Sequence, residues 1–136
     1  MSVVVDASVI VKWIIPEDGS GDARALMSAD LAAPAIWLAE TANVLWRHVL
    51  RGEIDRSRAA DLLAEVSNAP IRNIEIDGLV HDALSLANEL AHPIYDCLYL
   101  AAAVREVTYV VTADSRFAAL VSRRADLIDR IKPLGT

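Results

Sequence analysis

The chain has 136 residues, of which 54% are hydrophobic, and a formal net charge of −6. This length predicts a single domain, residues 1–136, with one substantial core. The acidic charge argues against a general nucleic-acid coat protein, which would be basic. Divalent cations bound to acidic residues would offset part of that charge, so it weakens a nucleic-acid substrate without excluding one.

No stretch of the sequence predicts a membrane span. The most apolar stretch, residues 3–15, contains Asp6 and Lys12, is shorter than a bilayer span and lacks the features of a signal peptide. The single cysteine, Cys97, rules out an internal disulfide. We therefore expect a cytoplasmic protein. Its hydrophobic content exceeds what so small a domain readily buries, which predicts a homodimer and a groove for a partner.

Hydrophobic patterns in the first half of the chain predict two strands among helices. A β-branched run typical of a buried strand comes first, and Pro16 ends the helix that follows it. Gly52 stands just beyond a long helix, where glycine commonly ends one. The predicted elements, in order, are strand 2–5, helix 7–15, turn 17–21, helix 22–27, strand 31–33, helix 34–51 and helix 55–67.

The second half continues the alternation of strands and helices. Its predicted elements are strand 71–76, a helix from Asp77 to about Ala91, helix 96–106, strand 108–112, a short helix after Asp114 and an edge strand 131–134. Such alternation predicts an α/β fold, a three-layer α/β/α arrangement with a parallel sheet of about four to five strands. Ligands of these sheets bind beyond the carboxyl ends of the strands, and Asp6 and Asp114 both follow such ends.

Four acidic residues stand out because each is flanked by apolar sequence. They are Asp6, Glu40, Asp96 and Asp114. Carboxylates that a fold brings together suit Mg²⁺ or Mn²⁺, which prefer oxygen ligands. Two carboxylates about 5 Å apart repel by roughly 3 kcal/mol at an effective dielectric near 20, so such a cluster requires cations or protons.

Each of these residues also has a simpler explanation. Asp6, Asp96 and Asp114 precede predicted helices, where Asp is a favoured N-cap worth about 1 kcal/mol. Glu40, with Asn43, Arg47 and Arg51, lies on a polar stripe that would suit a solvated helix face. The hydroxyls of Ser8 and Thr112 favour the metal site, because hydroxyls so close to Asp6 and Asp114 can orient a carboxylate.

Four segments around these residues resemble the PIN-domain ribonucleases, and among them most closely the VapC toxins of prokaryotic toxin–antitoxin pairs. The segments are VVDAS at 4–8, ETAN at 40–43, YDCLYLA at 95–101 and VTADSRF at 111–117. Each is weak alone, but together they follow the family's order and spacing over the whole chain. The resemblance therefore implies a PIN-like fold.

The resemblance also implies the site residues. Asp6, Glu40, Asp96 and Asp114 would be catalytic and would bind Mg²⁺ or Mn²⁺, and the supporting residues would be Ser8, Thr112, Asn43 and Arg116. Some family members carry a fifth acidic residue shortly after the fourth. Here Ser115 and Arg116 stand there, so none is assigned and a second metal position is less defined.

The implied activity is the hydrolysis of RNA phosphodiester bonds by metal-activated water, leaving a 5′-phosphate and a 3′-hydroxyl. The implied role is that of a toxin which inhibits translation and is blocked by a cognate VapB-like antitoxin, for which an Arg placed among the carboxylates would be one means. Two alternatives remain open: a PIN nuclease of RNA processing, and a non-catalytic RNA- or protein-binding PIN module. An aspartyl-phosphate phosphatase and a receiver domain fit poorly, because Ser8 and Arg116 replace the Asp and Lys they require.

The other polar and aromatic residues carry weaker predictions. Lys12, Arg47, Arg51 and Arg116 are near the proposed site in sequence and could meet phosphates. Cys97 is interpreted as a buried helix residue rather than a nucleophile. The histidines His48, His81 and His92 show no metal-ligand spacing, and the tryptophans Trp13, Trp37 and Trp46 suit a core or an interface.

Overall fold

The computed structural model describes residues 2–136, and its centre is one sheet of five parallel strands in the order β3-β2-β1-β4-β5. The strands are β1 (Val3–Val5), β2 (Leu31–Pro34), β3 (Ile71–Ile74), β4 (Val110–Thr112) and β5 (Ile131–Pro133). Each strand pairs in parallel with its neighbours, as βα alternation requires. The predicted parallel sheet is therefore confirmed.

Helices connect the strands. They are α1 (Ala7–Ile10), α2 (Ser20–Ala25), α3 (Trp37–Leu50), α4 (Arg56–Val66), α5 (Val80–Leu90), α6 (Ile94–Arg105) and α7 (Ser115–Ser122). Short 3₁₀ turns at Val11–Trp13 and Leu26–Ser28 extend α1 and α2, and a third at Ile128–Arg130 leads into β5. Among the described residues, no helix has the length and apolar character needed to cross a membrane.

The core lies on both faces of the three central strands. Every residue of β1, β2 and β4 is buried, whereas the edge strands β3 and β5 are partly exposed. The helix α6 packs across β1, β2 and β4 and buries the unbroken run 97–103, while α1 and α7 pack against β4. Apolar burial on both faces explains why the central strands read as continuous apolar runs. The three-layer α/β/α prediction is confirmed.

The strand order creates a crevice between β1 and β4. From β1 the chain proceeds outward to β2 and β3, and it then returns to the other side of β1 with β4 and β5. The backbone N–H of Asp6 donates to the carbonyl of Val111 at 3.0 Å, so the two strands stay paired to their ends. Open α/β sheets bind ligands at such a reversal of strand order, beyond the carboxyl ends.

Some predicted bounds are wrong by a few residues, and prolines explain two of these differences. The predicted helix 34–51 begins only at Trp37, because Pro34 still pairs with Ile74 in the sheet. The predicted helix 96–106 begins earlier, at Ile94, because Pro93 occupies the extended position before its first turn. Asp96 is therefore the third residue of α6 and does not precede the helix.

Two helices end in the same hydrogen-bonded turn, but only one of them uses glycine. After α3, the N–H of Gly52 donates to Val49 and the next N–H donates to His48. After α6, the N–H of Val107 donates to Val104 and that of Thr108 donates to Ala103. Both patterns are Schellman motifs, which require a left-handed residue, and Gly52 and Val107 have φ of 74° and 53°.

Exchanging the residues at these two turns should change stability in opposite directions. Val107 is 66% exposed, so Val107→Gly removes left-handed strain without opening a core cavity. We expect this variant to raise the free energy of unfolding by about 1 kcal/mol. Gly52→Val should lower it by a similar amount, since only strain opposes a side chain where no atom lies within 4 Å. Urea denaturation measures both, and equal stability of the three proteins would contradict this account.

Candidate active site

A cleft of about 460 Å³ opens beyond the carboxyl ends of β1 and β4, and the four candidate carboxylates line it. Asp6 follows β1, Asp114 follows β4, Glu40 lies in the first turn of α3 and Asp96 in the first turn of α6. The fold thus brings together residues that are far apart in sequence. The remaining polar and aromatic side chains of the lining are Ser8, Asn43, Arg47 and Tyr95.

Two hydroxyls hold the carboxylate of Asp6. Ser8 Oγ donates to Asp6 Oδ2 at 2.5 Å, and Thr112 Oγ1 donates to the same oxygen at 3.0 Å. Each hydroxyl also accepts a backbone N–H, that of Ala113 for Ser8 and that of Asp114 for Thr112, both at 3.0 Å. Because the backbone donors occupy the acceptor side of the hydroxyls, their protons point to Asp6.

Capping explains only one of the three aspartates. Asp114 Oδ1 accepts the N–H groups of Arg116 and Phe117 at 3.0 and 3.1 Å and so caps α7. Asp6 occupies the N-cap position of α1, but its side chain makes no capping hydrogen bond. Asp96 lies inside α6, whose N-cap is Pro93. The carboxylates of Asp6 and Asp96 therefore have no capping role.

Tyr99 holds Glu40, a contact that the sequence analysis missed. The phenol of Tyr99, which is completely buried, donates to Glu40 Oε1 at 2.5 Å. Tyr99 lies three residues after Asp96 on α6, so this helix carries one carboxylate of the cleft and the hydrogen-bond donor to another. A buried Tyr hydroxyl normally requires a partner, and this is the signal that could have identified the contact.

His92 holds Asp96, and the sequence analysis missed this residue too. Its Nε2 lies 2.6 Å from Asp96 Oδ2, and its ring stacks on Phe117 with the ring centres 4.6 Å apart. His92 was tested only for metal-ligand spacing, which it lacks. A spacing of four residues from an acidic residue was the available signal, but the intervening Pro93 concealed it by breaking the helical pattern.

Together these contacts occupy one oxygen of each carboxylate. The held oxygens are Asp6 Oδ2, Glu40 Oε1, Asp96 Oδ2 and Asp114 Oδ1. No side chain or backbone group in residues 2–136 donates a hydrogen bond to the second oxygen of any of the four. Each carboxylate is thus fixed by one oxygen and keeps the other for a ligand.

The cleft makes two of the carboxylates hard to ionise. Burial raises the pKa of Asp6 from 3.8 to about 6, and the neighbouring charges of Asp96 and Glu40 add to this effect against the hydrogen bonds of Ser8 and Thr112. Burial also raises the pKa of Glu40, and the negative charge of Asp96 raises it further. Raised carboxylate pKa values are typical of functional sites and indicate a place where a cation would be favourable.

The predicted cations differ in their positions relative to the cleft. Arg47 lines the cleft, whereas Arg116 and Arg51, both exposed, do not. Lys12 turns away from the carboxylates and binds Glu17 and the carbonyl of Asp18. The backbone N–H of Arg116 donates to Asp114 Oδ1, and Arg47 is the basic side chain that lines the cleft.

The remaining candidate residues have structural roles. Cys97 is buried, and burial raises the pKa of its thiol to about 11, so it is protonated at neutral pH and is a poor nucleophile. Trp37 and Trp13 are held by Nε1 hydrogen bonds at 2.7 Å to Asn73 and to the carbonyl of Ala23. Trp46 is 57% exposed and therefore suits an interface.

The donor set of the cleft fits a hard divalent cation. Within residues 2–136, four carboxylates line one cleft and each has an oxygen without a hydrogen-bond partner, although no three Asp, Glu, His or Cys side chains form a ligand set that could hold a metal ion by itself. Mg²⁺ does not require such a set, because it usually keeps several waters and uses one or two carboxylates together with substrate phosphates. The residues present therefore fit Mg²⁺ or Mn²⁺ better than they fit a metal with a complete protein cage.

Comparison with known sequences identifies the class of protein. The model of the PIN domain family matches residues 3–121, so the chain belongs to the PIN domain family. Within it, the chain is similar to Ribonuclease VapC3 of Pyrobaculum aerophilum, with 31% identity over 122 residues, 87% of this chain and 93% of the relative. The predicted resemblance to VapC-type PIN ribonucleases is confirmed, and the family and this relative support a nuclease.

Solved structures share the fold. The crystal structure of PAE2754 from Pyrobaculum aerophilum matches with a TM-score of 0.68 and 23% identity, over 98% of this chain and 84% of that one. Mycobacterium tuberculosis VapC20, described as a toxin that cleaves the sarcin–ricin loop, matches with a TM-score of 0.67 and 18% identity, over 87% and 94%. At these identities the likeness supports the architecture alone.

The raised pKa of Asp6 predicts how stability depends on pH in the absence of metal. Between about pH 4 and pH 6 the folded protein binds a proton that the unfolded chain releases, so stability falls as the pH rises through this window. The difference between 3.8 and about 6 corresponds to roughly 3 kcal/mol. The Asp6→Asn variant lacks this dependence on pH. The difference in free energy of unfolding between the variant and the wild type should therefore shift in favour of the variant by roughly 3 kcal/mol as the pH rises from 3.5 to about 7.5.

Chemical denaturation in the presence of a chelator measures this effect. Asp61→Asn, at an exposed position of α4, controls for the loss of any carboxylate. We expect it to follow the wild type across the pH range. Parallel pH profiles for Asp6→Asn and the wild type would show that folding does not raise the pKa of Asp6.

Proposed function

We propose that this protein is a Mg²⁺- or Mn²⁺-dependent endoribonuclease and the toxin of a toxin–antitoxin pair that inhibits translation. The observation that carries the proposal is the cleft in which four carboxylates each have one oxygen held and one oxygen without a protein partner. The similarity to Ribonuclease VapC3 supports RNA as the substrate. The products would be a 5′-phosphate and a 3′-hydroxyl.

The carboxylates of Asp6, Asp96 and Asp114 would hold the metal, with Glu40 as a further ligand or as the group that positions water. The metal would supply activation of water and neutralisation of phosphate charge. Burial raises the pKa of Glu40, which makes this carboxylate a better proton acceptor. No side chain has to become a covalent nucleophile, which agrees with the protonated thiol of Cys97.

The other residues of the cleft would orient the site and its substrate. Ser8 and Thr112 fix the direction of the Asp6 carboxylate, and Tyr99 fixes that of Glu40. Arg47 would contact a phosphate of the RNA, as a guanidinium readily does. Asn43, one helical turn from Glu40, offers an amide to the same space.

A cognate antitoxin is the second part of the proposal. An apolar groove of about 620 Å³ runs between α3 and α4, where Trp46 and Leu50 are 57% and 70% exposed. The helix α3 also carries Glu40 and Arg47 on the cleft. An antitoxin segment seated in the groove could therefore extend along α3 and place an Arg among the carboxylates. The homodimer stays a prediction.

Cleavage of RNA with and without metal tests the activity. Purified protein free of antitoxin is incubated with total cellular RNA, with Mg²⁺, with Mn²⁺ and with chelator, beside Asp96→Asn. We expect cleavage with either metal, none with chelator and none by the variant. Mapping of the product ends checks for 5′-phosphates. Equal cleavage by Asp96→Asn would overturn the assignment, and no metal-dependent cleavage by folded wild type would favour a binding module.

Asp114 allows its catalytic and structural roles to be separated. Asp114→Asn keeps an Oδ1 acceptor for the N–H groups of Arg116 and Phe117, whereas Asp114→Ala loses the cap. We expect both variants to lose cleavage because both lack the carboxylate. Only the Ala variant should be less stable, by about 1 kcal/mol, in urea denaturation. Cleavage by the Asn variant at the wild-type rate would show that Asp114 is only a cap.

A further inference from the structure

The linker between α5 and α6 places a histidine against Asp96, one of the carboxylates of the cleft. The helix α5 ends at Leu90, Ala91 adopts the left-handed conformation with φ of 52°, and His92 and Pro93 follow before α6 begins. His92 therefore lies on a three-residue turn between two helices, with a restricted backbone because a proline follows it. Its side chain is only 19% exposed.

Two contacts fix the imidazole ring. Nε2 lies 2.6 Å from Asp96 Oδ2, and it is the donor because an ionised carboxylate only accepts. The ring face stacks on Phe117 at an interplanar angle of 25° and a centroid distance of 4.6 Å. Phe117 is almost completely buried, so the ring rests on a fixed wall. The direction of the Nε2–H bond is therefore set by the core.

Phe117 also connects this ring to a second carboxylate. Its backbone N–H donates to Asp114 Oδ1 at 3.1 Å, within the first turn of α7. A continuous path of contacts thus runs from Asp96 through the rings of His92 and Phe117 to Asp114. Asp96 and Asp114 come from different layers of the fold, and this path joins their supports.

We propose that His92 is a positioning residue: it holds Asp96 Oδ2 and, through its stack on Phe117, sets the position of the Asp96 carboxylate relative to Asp114, so that their free oxygens can share a divalent cation. This inference rests on the proposed metal-dependent function. His92 does not touch the ion or the RNA. It acts as partners of metal ligands commonly do, by limiting the orientations of the ligand, and the loss of such a partner typically weakens metal affinity about 10–100-fold.

Three variants separate the hydrogen bond from the stack and from the general loss of a histidine. His92→Phe keeps an aromatic ring on Phe117 but removes the donor. His92→Gln removes the ring but offers an amide N–H to Asp96. His48→Phe is the matched control. His48 also pairs with a carboxylate, since its Nδ1 lies 2.5 Å from Glu53 Oε2, but it does not line the cleft. Binding of Mn²⁺ alone is measured by calorimetry and by electron paramagnetic resonance of free Mn²⁺, with stability measured in chelator.

We expect His92→Phe to bind Mn²⁺ about 10–100-fold more weakly than the wild type, with little change in stability without metal. His92→Gln should recover part of the affinity, because it restores the donor but not the stack on Phe117, and His48→Phe should bind like the wild type. In an Asp96→Asn background, His92→Phe should cause no further loss, because His92 acts through Asp96. This non-additivity is not expected of a purely structural histidine.

The possible results separate this inference from the proposed function. Mn²⁺ affinity in His92→Phe equal to that of the wild type overturns the role of His92 and leaves the metal site standing. A loss of affinity that matches a loss of stability, without recovery in His92→Gln, also overturns it. No Mn²⁺ binding by folded wild type overturns the proposed function and this inference with it.

Discussion

The cost of ionising several carboxylates in one partly buried cleft is the constraint on which the site depends. Desolvation and the charges of Asp96 and Glu40 oppose the ionised form of Asp6, so folding brings these groups together against their own electrostatics. Hydrogen bonds from the protein offset part of this cost, but each reaches only one oxygen of its carboxylate. The arrangement is therefore incomplete by itself and is suited to a positively charged ligand.

The sheet supplies the precision that this arrangement requires. Pairing of β1 with β4 places Asp6 beside Thr112, two residues before Asp114, and the hydroxyl of Thr112 donates across the strand ends to the Asp6 carboxylate. The helix α6, buried along 97–103, brings Asp96 and Tyr99 to the same space. Supports that originate in rigid, buried elements hold ligand groups more accurately than loops do, and this explains why the core and the site are connected.

The sequence predicted the fold and the candidate carboxylates better than their supports. Continuous apolar runs identify β1 and β4, and the acidic residues after them follow from the position of strand ends. The hydroxyls of Ser8 and Thr112 were found because they are close to Asp6 or Asp114 in sequence. Tyr99 and His92 were missed because their contacts depend on how α6 packs and on the turn before it, which periodicity does not reveal.

Each carboxylate has one oxygen that accepts hydrogen bonds from the protein and one that accepts none from the part of the chain that the structure describes. The effects of substitutions on stability can therefore differ from their effects on the proposed function. Removing a donor such as His92 should leave the core largely intact, since its side chain is 19% exposed, yet release the Asp96 carboxylate that it holds. Removing a carboxylate such as Asp6 relieves the cost of a desolvated charge and its repulsion by Asp96 and Glu40, so it should stabilise the protein. A residue whose loss makes the fold more stable is explained by function rather than by packing, and the raised pKa of Asp6 predicts that it meets this criterion.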